Sequence, residues 1–263
     1  MAWPGWNATV TSQEMHRLRA DVVTAQVLVF SDLPATAATV ADRLVNHLLG
    51  GEAPTHIAVT GGGLGSAIWP QVAAHPKVGD VAWSGVHVWF SDERFVPAGD
   101  ADRNDSAVIA AAGEFGLPRA NIHSVPGPDL VPTVEAAALA YAAELSGGQV
   151  PKFSVSILGI GPDGHVASLF PGRPEVGVTT GAVLAVKDSP KPPPERVSFT
   201  RPALMQCEEL WMIAAGAEKA QAVSRALAVD EVTRTPASGL RGRQATIWLI
   251  DAAASTLCVP ANA

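Results

Sequence analysis

The stretch Phe153-Ser154-Val155-Ser156-Ile157-Leu158-Gly159-Ile160-Gly161-Pro162-Asp163-Gly164-His165 decides the fold. Phe153 to Leu158 reads as a buried strand, and it runs straight into three glycines and a proline. A short apolar strand that ends abruptly in a Gly-rich loop is the signature of one βα unit in a parallel sheet.

Working outward, the same unit repeats. Gln26 to Phe30 (QVLVF) reads as a strand, and Asp32-Leu33-Pro34 then opens a helix to about Leu49, stopped by Gly50-Gly51. His56 to Val59 is a strand ending at Thr60-Gly61-Gly62-Gly63, with a helix from about Leu64. Val86 to Phe90 (VHVWF) delivers Ser91-Asp92-Glu93-Arg94 as a polar loop, before a helix from about Asn104 to Ala112 with Asp102 or Asn104 as its cap. Asn121 to Val125 is a short strand and Val134 to Leu145 an Ala-rich helix. Beyond the opening stretch, strands are expected at Ala182 to Val186, Arg196 to Phe199, Leu210 to Ala214 and Thr246 to Ile250. A helix follows Gly216 to about Ala228, and a short Ala-rich helix follows Asp251. Alternation of this kind predicts a Rossmann-like α/β fold, a mostly parallel sheet with helices on both faces. One domain is expected over 25–263, with 1–24 as an extension packed on it.

Composition agrees. Among 263 residues, 48% are hydrophobic and 16% charged, enough apolar surface for a sizeable core and too much for disorder. The net charge of −7 argues against a nucleic-acid surface, and it makes any Lys or Arg beside a Gly-rich loop more notable, because an anionic ligand needs a local positive site. Cys207 and Cys258 lack CxxC or zinc spacing and read as thiols of a reducing compartment. Met1 to Asn7 lacks the form of a signal peptide, and no apolar run nears the ~18 residues of a membrane helix, so a cytoplasmic protein is expected.

In an open parallel sheet, ligands bind beyond the carboxyl ends of the strands. Gly61–Gly63, Asp92–Arg94, Gly159–His165 and Gly216–Lys219 all follow predicted strands, and together predict one site on one rim. At Gly61, Gly62 and Gly63 the backbone N–H groups can approach an anion at a helix start, although the loop is neither a P-loop nor a strict GxGxxG. Asp163 and His165, two apart in a constrained and presumed extended loop, project to the same side, so the carboxylate can orient the imidazole as a general base. Lys191 and Arg196 belong to the one dense basic segment, stiffened by Pro190 and Pro192 to Pro194. Lys219 stands at a helix start, where a bound anion would offset the unfavourable dipole. His16, His47, His56, His75, His87 and His123 show no metal-ligand spacing, and no Gly-x-Ser-x-Gly elbow is present.

Three segments carry a resemblance. Gly159-Ile160-Gly161-Pro162-Asp163-Gly164-His165-Val166-Ala167-Ser168-Leu169-Phe170-Pro171-Gly172 resembles the signature of 6-phosphogluconolactonases. So do Trp89 to Pro97 with the Asp105-Ser106 that follows, and Asp188 to Val197; the helix start at Gly216 to Ala220 is similar too. The pieces come in the family's order over roughly residues 25 to 255. Two departures stand out. Thr60-Gly61-Gly62-Gly63-Leu64-Gly65 replaces a Ser-Gly-Gly-Ser-Thr-Pro loop, which removes hydroxyls expected to contact a phosphate, and Arg103-Asn104-Asp105-Ser106 replaces Asp-Ser-Asn-Tyr.

The resemblance implies hydrolysis of 6-phosphogluconolactone to 6-phosphogluconate in the oxidative pentose phosphate pathway, without a cofactor or metal. It also implies a fold shared with glucosamine-6-phosphate deaminases. His165 with Asp163 would be catalytic. Gly61–Gly63 or Arg94 would meet the oxyanion. Arg196, Lys219 and Lys191 would hold the phosphate, and Asp92 would bind sugar hydroxyls or fix Arg94. The expected partner is the small sugar-phosphate lactone, with no nucleic acid or membrane, acting on a monomer or weak homodimer. A deaminase-isomerase would continue after Asp-Gly-His toward Asn-Glu-Pro, where this chain has Ser168-Leu169-Phe170-Pro171. A non-catalytic sugar-phosphate sensor is expected to carry an N-terminal helix-turn-helix, for which about 24 residues before the first strand are too few.

Overall fold

The computed structural model describes residues 25–145 and 150–258. The proposed extension over 1–24, including His16, lies outside them. Among the described residues, ten strands form two sheets. The large one takes β1 (Gln26–Phe30), β2 (Thr55–Val59), β3 (Val86–Phe90), β5 (Ile122–His123), β6 (Phe153–Gly159), β9 (Cys207–Ala214) and β10 (Ala245–Asp251). Its order is β1-β10-β9-β6-β2-β3-β5, and every pairing is parallel. β6 carries almost no exposed residue, as expected for a strand covered on both faces.

α1 (Leu33–Leu49) forms because Asp32 caps it, its side chain accepting from the Ala35 N–H at 2.9 Å, with Pro34 in the first turn. Thr36, Val40, Leu44 and Leu48 recur at helical spacing and are buried against the sheet. Truncating one of these, such as Leu44→Ala, would cost about 2–5 kcal/mol. α1, α2 (Gly62–Ala73) and α3 (Asp105–Phe115) cover one face, packing Leu44, Trp69 and Val108 on Ile57, Val88 and Ile157. α4 (Val134–Glu144), the one-turn α5 (Arg201–Leu204) and α6 (Ala220–Leu227) cover the other, with Tyr141 and Val223 in that core.

The sequence reading departs from the structure at three elements. Asp92–Arg94 is a strand, β4, pairing antiparallel with β8 (Arg196–Phe199), which also pairs with β7 (Val183–Val186) in a second, three-stranded sheet. Three charged residues give no strand signal; their pairing comes from a strand a hundred positions on in the chain. The helix expected after Asp251 is a run of turns, held by the Asp251 carboxylate accepting from the Ala254 N–H. The strand at Asn121 to Val125 is only Ile122–His123.

Chain order locates the site. From β2 the chain moves outward through β3 to β5, then returns so that β6 lies on the other side of β2. That reversal opens a crevice at the carboxyl ends of β2 and β6. The Gly61 loop leaves one of these strands and the His165 loop leaves the other.

Candidate active site

Gly159 ends β6, and the chain turns at once: the Gly164 N–H donates to the Gly161 carbonyl and the Gly161 N–H to the His165 carbonyl, both at 2.9 Å. The loop is therefore a closed turn, not the extended segment expected. Gly164 sits at φ +97, and a Cβ on Gly161 would overlap the His165 imidazole and come within 2.6 Å of Asp163 Oδ1. Both glycines are thus required by the geometry that pairs Asp163 with His165. The pair itself is tight, with His165 Nδ1 2.5 Å from Asp163 Oδ1. Arg225 donates to the Asp163 carbonyl (2.9 Å), anchoring the turn to α6.

Burial disfavours the ionised Asp163 carboxyl, but the His165 hydrogen bond, the His165 charge and Lys191 outweigh it and hold the group well below the usual carboxylate range. A carboxylate accepts only, so the proton between the two rests on Nδ1, and the opposite nitrogen, Nε2, is the basic one in the neutral ring. Lys191 Nζ lies 3.3 Å from Nδ1 and 3.7 Å from Asp163 Oδ1, on the same side of the ring. Phe170 packs on the imidazole with centroids 4.7 Å apart.

Across the crevice, Gly61–Gly63 open α2 with no side-chain cap, which leaves the first backbone N–H groups of that helix free for a ligand. They line a cleft of about 290 Å³ together with Gly159 and Lys219. Lys219 is half-buried, and burial lowers its ammonium pKa; Glu218 pulls the other way and Lys191 adds to the lowering. Lys191 thus bears electrostatically on both Lys219 and the Asp163–His165 pair.

Arg196, on β8, is buried and turned inward. It donates to the carbonyls of Pro193 (3.1 Å), Lys191 (3.2 Å) and Pro192 (3.1 Å), and Nη1 stands 4.0 Å from Asp92 Oδ2. It therefore fastens the Pro-rich loop that presents Lys191. Asp92 accepts from Ser168 Oγ at 2.7 Å rather than pairing with Arg94. Arg94 instead donates to the Asn104 side-chain oxygen.

Residues 31–248 match the family described as glucosamine-6-phosphate isomerases/6-phosphogluconolactonase. The chain belongs to this family. Within it, the chain is 39% identical over 246 residues to a 6-phosphogluconolactonase of Streptomyces coelicolor, covering 89% of this chain and 94% of that one. It is 36% identical over 240 residues to a 6-phosphogluconolactonase of Mycobacterium tuberculosis, covering 87% and 96%. The crystal structure of the Thermotoga maritima 6-phosphogluconolactonase superposes with a TM-score of 0.74 at 25% identity, over 86% of this chain and 99% of that one.

Every family-signature segment named from the sequence meets at this rim, but several residues the geometry uses were not singled out as site residues. Ser168 ties the His165 loop to Asp92, and Phe170 packs at a tilt on His165 while lying under Arg196, whose guanidinium carbon is 5.7 Å from its ring centroid. Asn104 is expected as a helix cap and falls in the Arg103–Ser106 departure from the family pattern, yet its side chain makes no capping bond and reaches the site instead. The signal for Ser168 and Phe170 was present, since both belong to the long signature segment. Among the described residues, no group of three or more His, Cys, Asp or Glu side chains is placed to hold a metal ion, and no helix is long and apolar enough to cross a membrane.

Proposed function

We propose that this chain hydrolyses 6-phospho-D-glucono-1,5-lactone to 6-phosphogluconate, with His165 as general base. The observation that carries the reading is the Asp163–His165 pair, 2.5 Å apart, in the loop that leaves β6, whose parallel neighbour β2 leads into the uncapped start of α2. Its family and its relatives' names point to the same substrate.

Asp163 holds Nδ1–H, and Nε2 takes a proton from water as the oxygen attacks the lactone carbonyl. The oxyanion that forms is met by Gly61–Gly63 N–H groups and the Arg94 guanidinium. Collapse restores the carbonyl and breaks the ring C1–O5 bond, and the proton on Nε2 passes to the leaving O5. Lys219 and Lys191, with the charge of Arg196 behind them, hold the phosphate, and its binding energy sets the carbonyl over His165. The loop at Gly61–Gly63 offers backbone groups only. Asp92, held by Ser168, faces the sugar hydroxyls.

The test is hydrolysis of freshly generated lactone, followed as 6-phosphogluconate appears and corrected for spontaneous opening. Acceleration well above the spontaneous rate is expected; a rate equal to it overturns the reading.

A further inference from the structure

Glu93 has no part in that scheme, yet it is fully buried and heavily bonded. Oε1 accepts from the backbone N–H of Asn104 (2.7 Å) and of Arg94 (2.9 Å), and Oε2 from that of Asp105 (3.0 Å). Arg103 lies beside it, Nη2 at 3.8 Å, and makes a two-pronged pair with Asp105 at 2.9 and 2.8 Å. The same guanidinium donates to the carbonyls of Val96 (3.2 Å) and Val125 (2.7 Å). Burial pushes the Glu93 carboxyl up to about 7 against the pull of Arg103 and the Asn104 and Arg94 N–H groups. Burying charges in this way costs more than capping a helix with an ordinary Ser or Asp side chain.

The arrangement does something a simple cap does not. Glu93 holds the backbone N–H groups of Asn104 and of Asp105, the first residue of α3, and Asn104 takes helical φ −69 and ψ −33; its side chain makes no capping bond and projects into the rim. There its Nδ2 donates to the Asp92 carbonyl at 2.7 Å, and its Oδ1 accepts from Arg94. Its carboxamide also fills the space a Cβ on Gly61 would need. One side chain thus touches the Gly61 loop, Asp92 and Arg94.

We infer that Glu93 is a positioning residue that acts through Asn104, fixing the Arg94 guanidinium relative to the Gly61–Gly63 N–H groups. The inference rests on the hydrolase reading above, in which those groups receive the oxyanion. Two groups that must converge on one developing charge tolerate little displacement, so the effect falls on kcat.

A double-mutant cycle tests it, with kcat, KM and Tm measured for wild type, Glu93→Gln, Asn104→Ala and the double variant. Glu93→Gln keeps the volume but presents an amide N–H where a backbone N–H also donates. Asn104→Ala keeps the backbone N–H that Glu93 holds. Each single change should lower kcat about tenfold with KM within about threefold, and the double variant should be no slower than Asn104→Ala, as expected when one residue acts through the other. If Glu93→Gln does not fold, Glu93→Asp enters the same cycle. Multiplying kcat losses, or an Asn104→Ala enzyme with unchanged kcat, overturns the positioning role. A wild-type protein without lactonase activity overturns the hydrolase reading instead.

Discussion

Nδ1 of His165 lies 2.5 Å from Oδ1 of Asp163, within a turn closed by the Gly161 N–H donating to the His165 carbonyl. The contact fixes both the proton on Nδ1 and the direction of Nε2. Removing the base should therefore act on the chemical step. His165→Ala is expected to lower kcat by roughly 10²–10⁴-fold with a much smaller change in KM. Asp163→Asn leaves a base with its tautomer unsupported, and should lower kcat by roughly tenfold or more. Near-wild-type kcat in His165→Ala at neutral pH would remove His165 from the mechanism.

Gly161 supplies a second, independent test of the same pair. A Cβ there would occupy the space of the imidazole, so Gly161→Ala must push the ring away from Asp163. Gly161 is itself buried, but the atoms nearest the added Cβ belong to the part-exposed His165 and Asp163 side chains, so folding should persist while kcat falls by about 10²-fold, the cost of misplacing a base by about an ångström. Circular dichroism and kcat on the same preparation check this. A fully active Gly161→Ala enzyme is incompatible with the Asp163–His165 geometry.

Arg196 donates to three consecutive carbonyls, those of Lys191, Pro192 and Pro193. Its loss removes a charge beside the proposed phosphate site and also loosens the loop that presents Lys191. Arg196→Ala should raise KM by at least about tenfold and lower kcat far less, as expected when substrate binding is lost. Arg196→Lys should not restore it, because an ammonium cannot reproduce a planar fork of donors. The reverse pattern, low kcat at unchanged KM, would move Arg196 into the chemistry.

The parallel sheet was legible because each βα unit announces itself locally, as at Phe153 to Gly161, where an apolar run meets glycines. The rim followed from a general rule about strand ends, and Asp163 with His165 stood out because Gly and Pro around them leave little else for the loop to do. What was hidden depended on distant partners. β4 is three charged residues whose strand character comes entirely from β8. Glu93 reads as a surface charge until Arg103 and the start of α3 fold against it. Arg196 reads as a free cation, and only the folded loop shows its guanidinium turned back on its own chain.

The histidines without metal spacing have a different consequence. The Trp89 indole N–H donates to His56 Nδ1 at 3.0 Å, and His56 stacks on His87 with centroids 4.7 Å apart. His87 Nδ1 is 3.0 Å from His123 Nε2, and His123 Nδ1 is 3.1 Å from Glu144 on α4. Since the carboxylate only accepts, His123 carries its proton on Nδ1 and accepts at Nε2 from His87, so the row is satisfied with every ring neutral. Burial, then the neighbouring His87 and His123, lowers the His56 pKa from 6.5 to about 4; burial and His123 lower that of His87 as well. At His56 the unfolded chain binds more protons than the folded one between pH 6.5 and about 4, so this residue's contribution to stability falls as the pH drops through that window. Glu93, raised from 4.5 to about 7, acts in the opposite sense over much of the same range, so the His56 part is read as the Tm difference between His56→Gln and wild type. That difference should change in favour of His56→Gln from pH 6.5 to about 4 and level off below. His56→Gln keeps an acceptor for Trp89 without a titrating group, which is why the difference isolates His56. An identical slope in His56→Gln and wild type would place the acid sensitivity elsewhere.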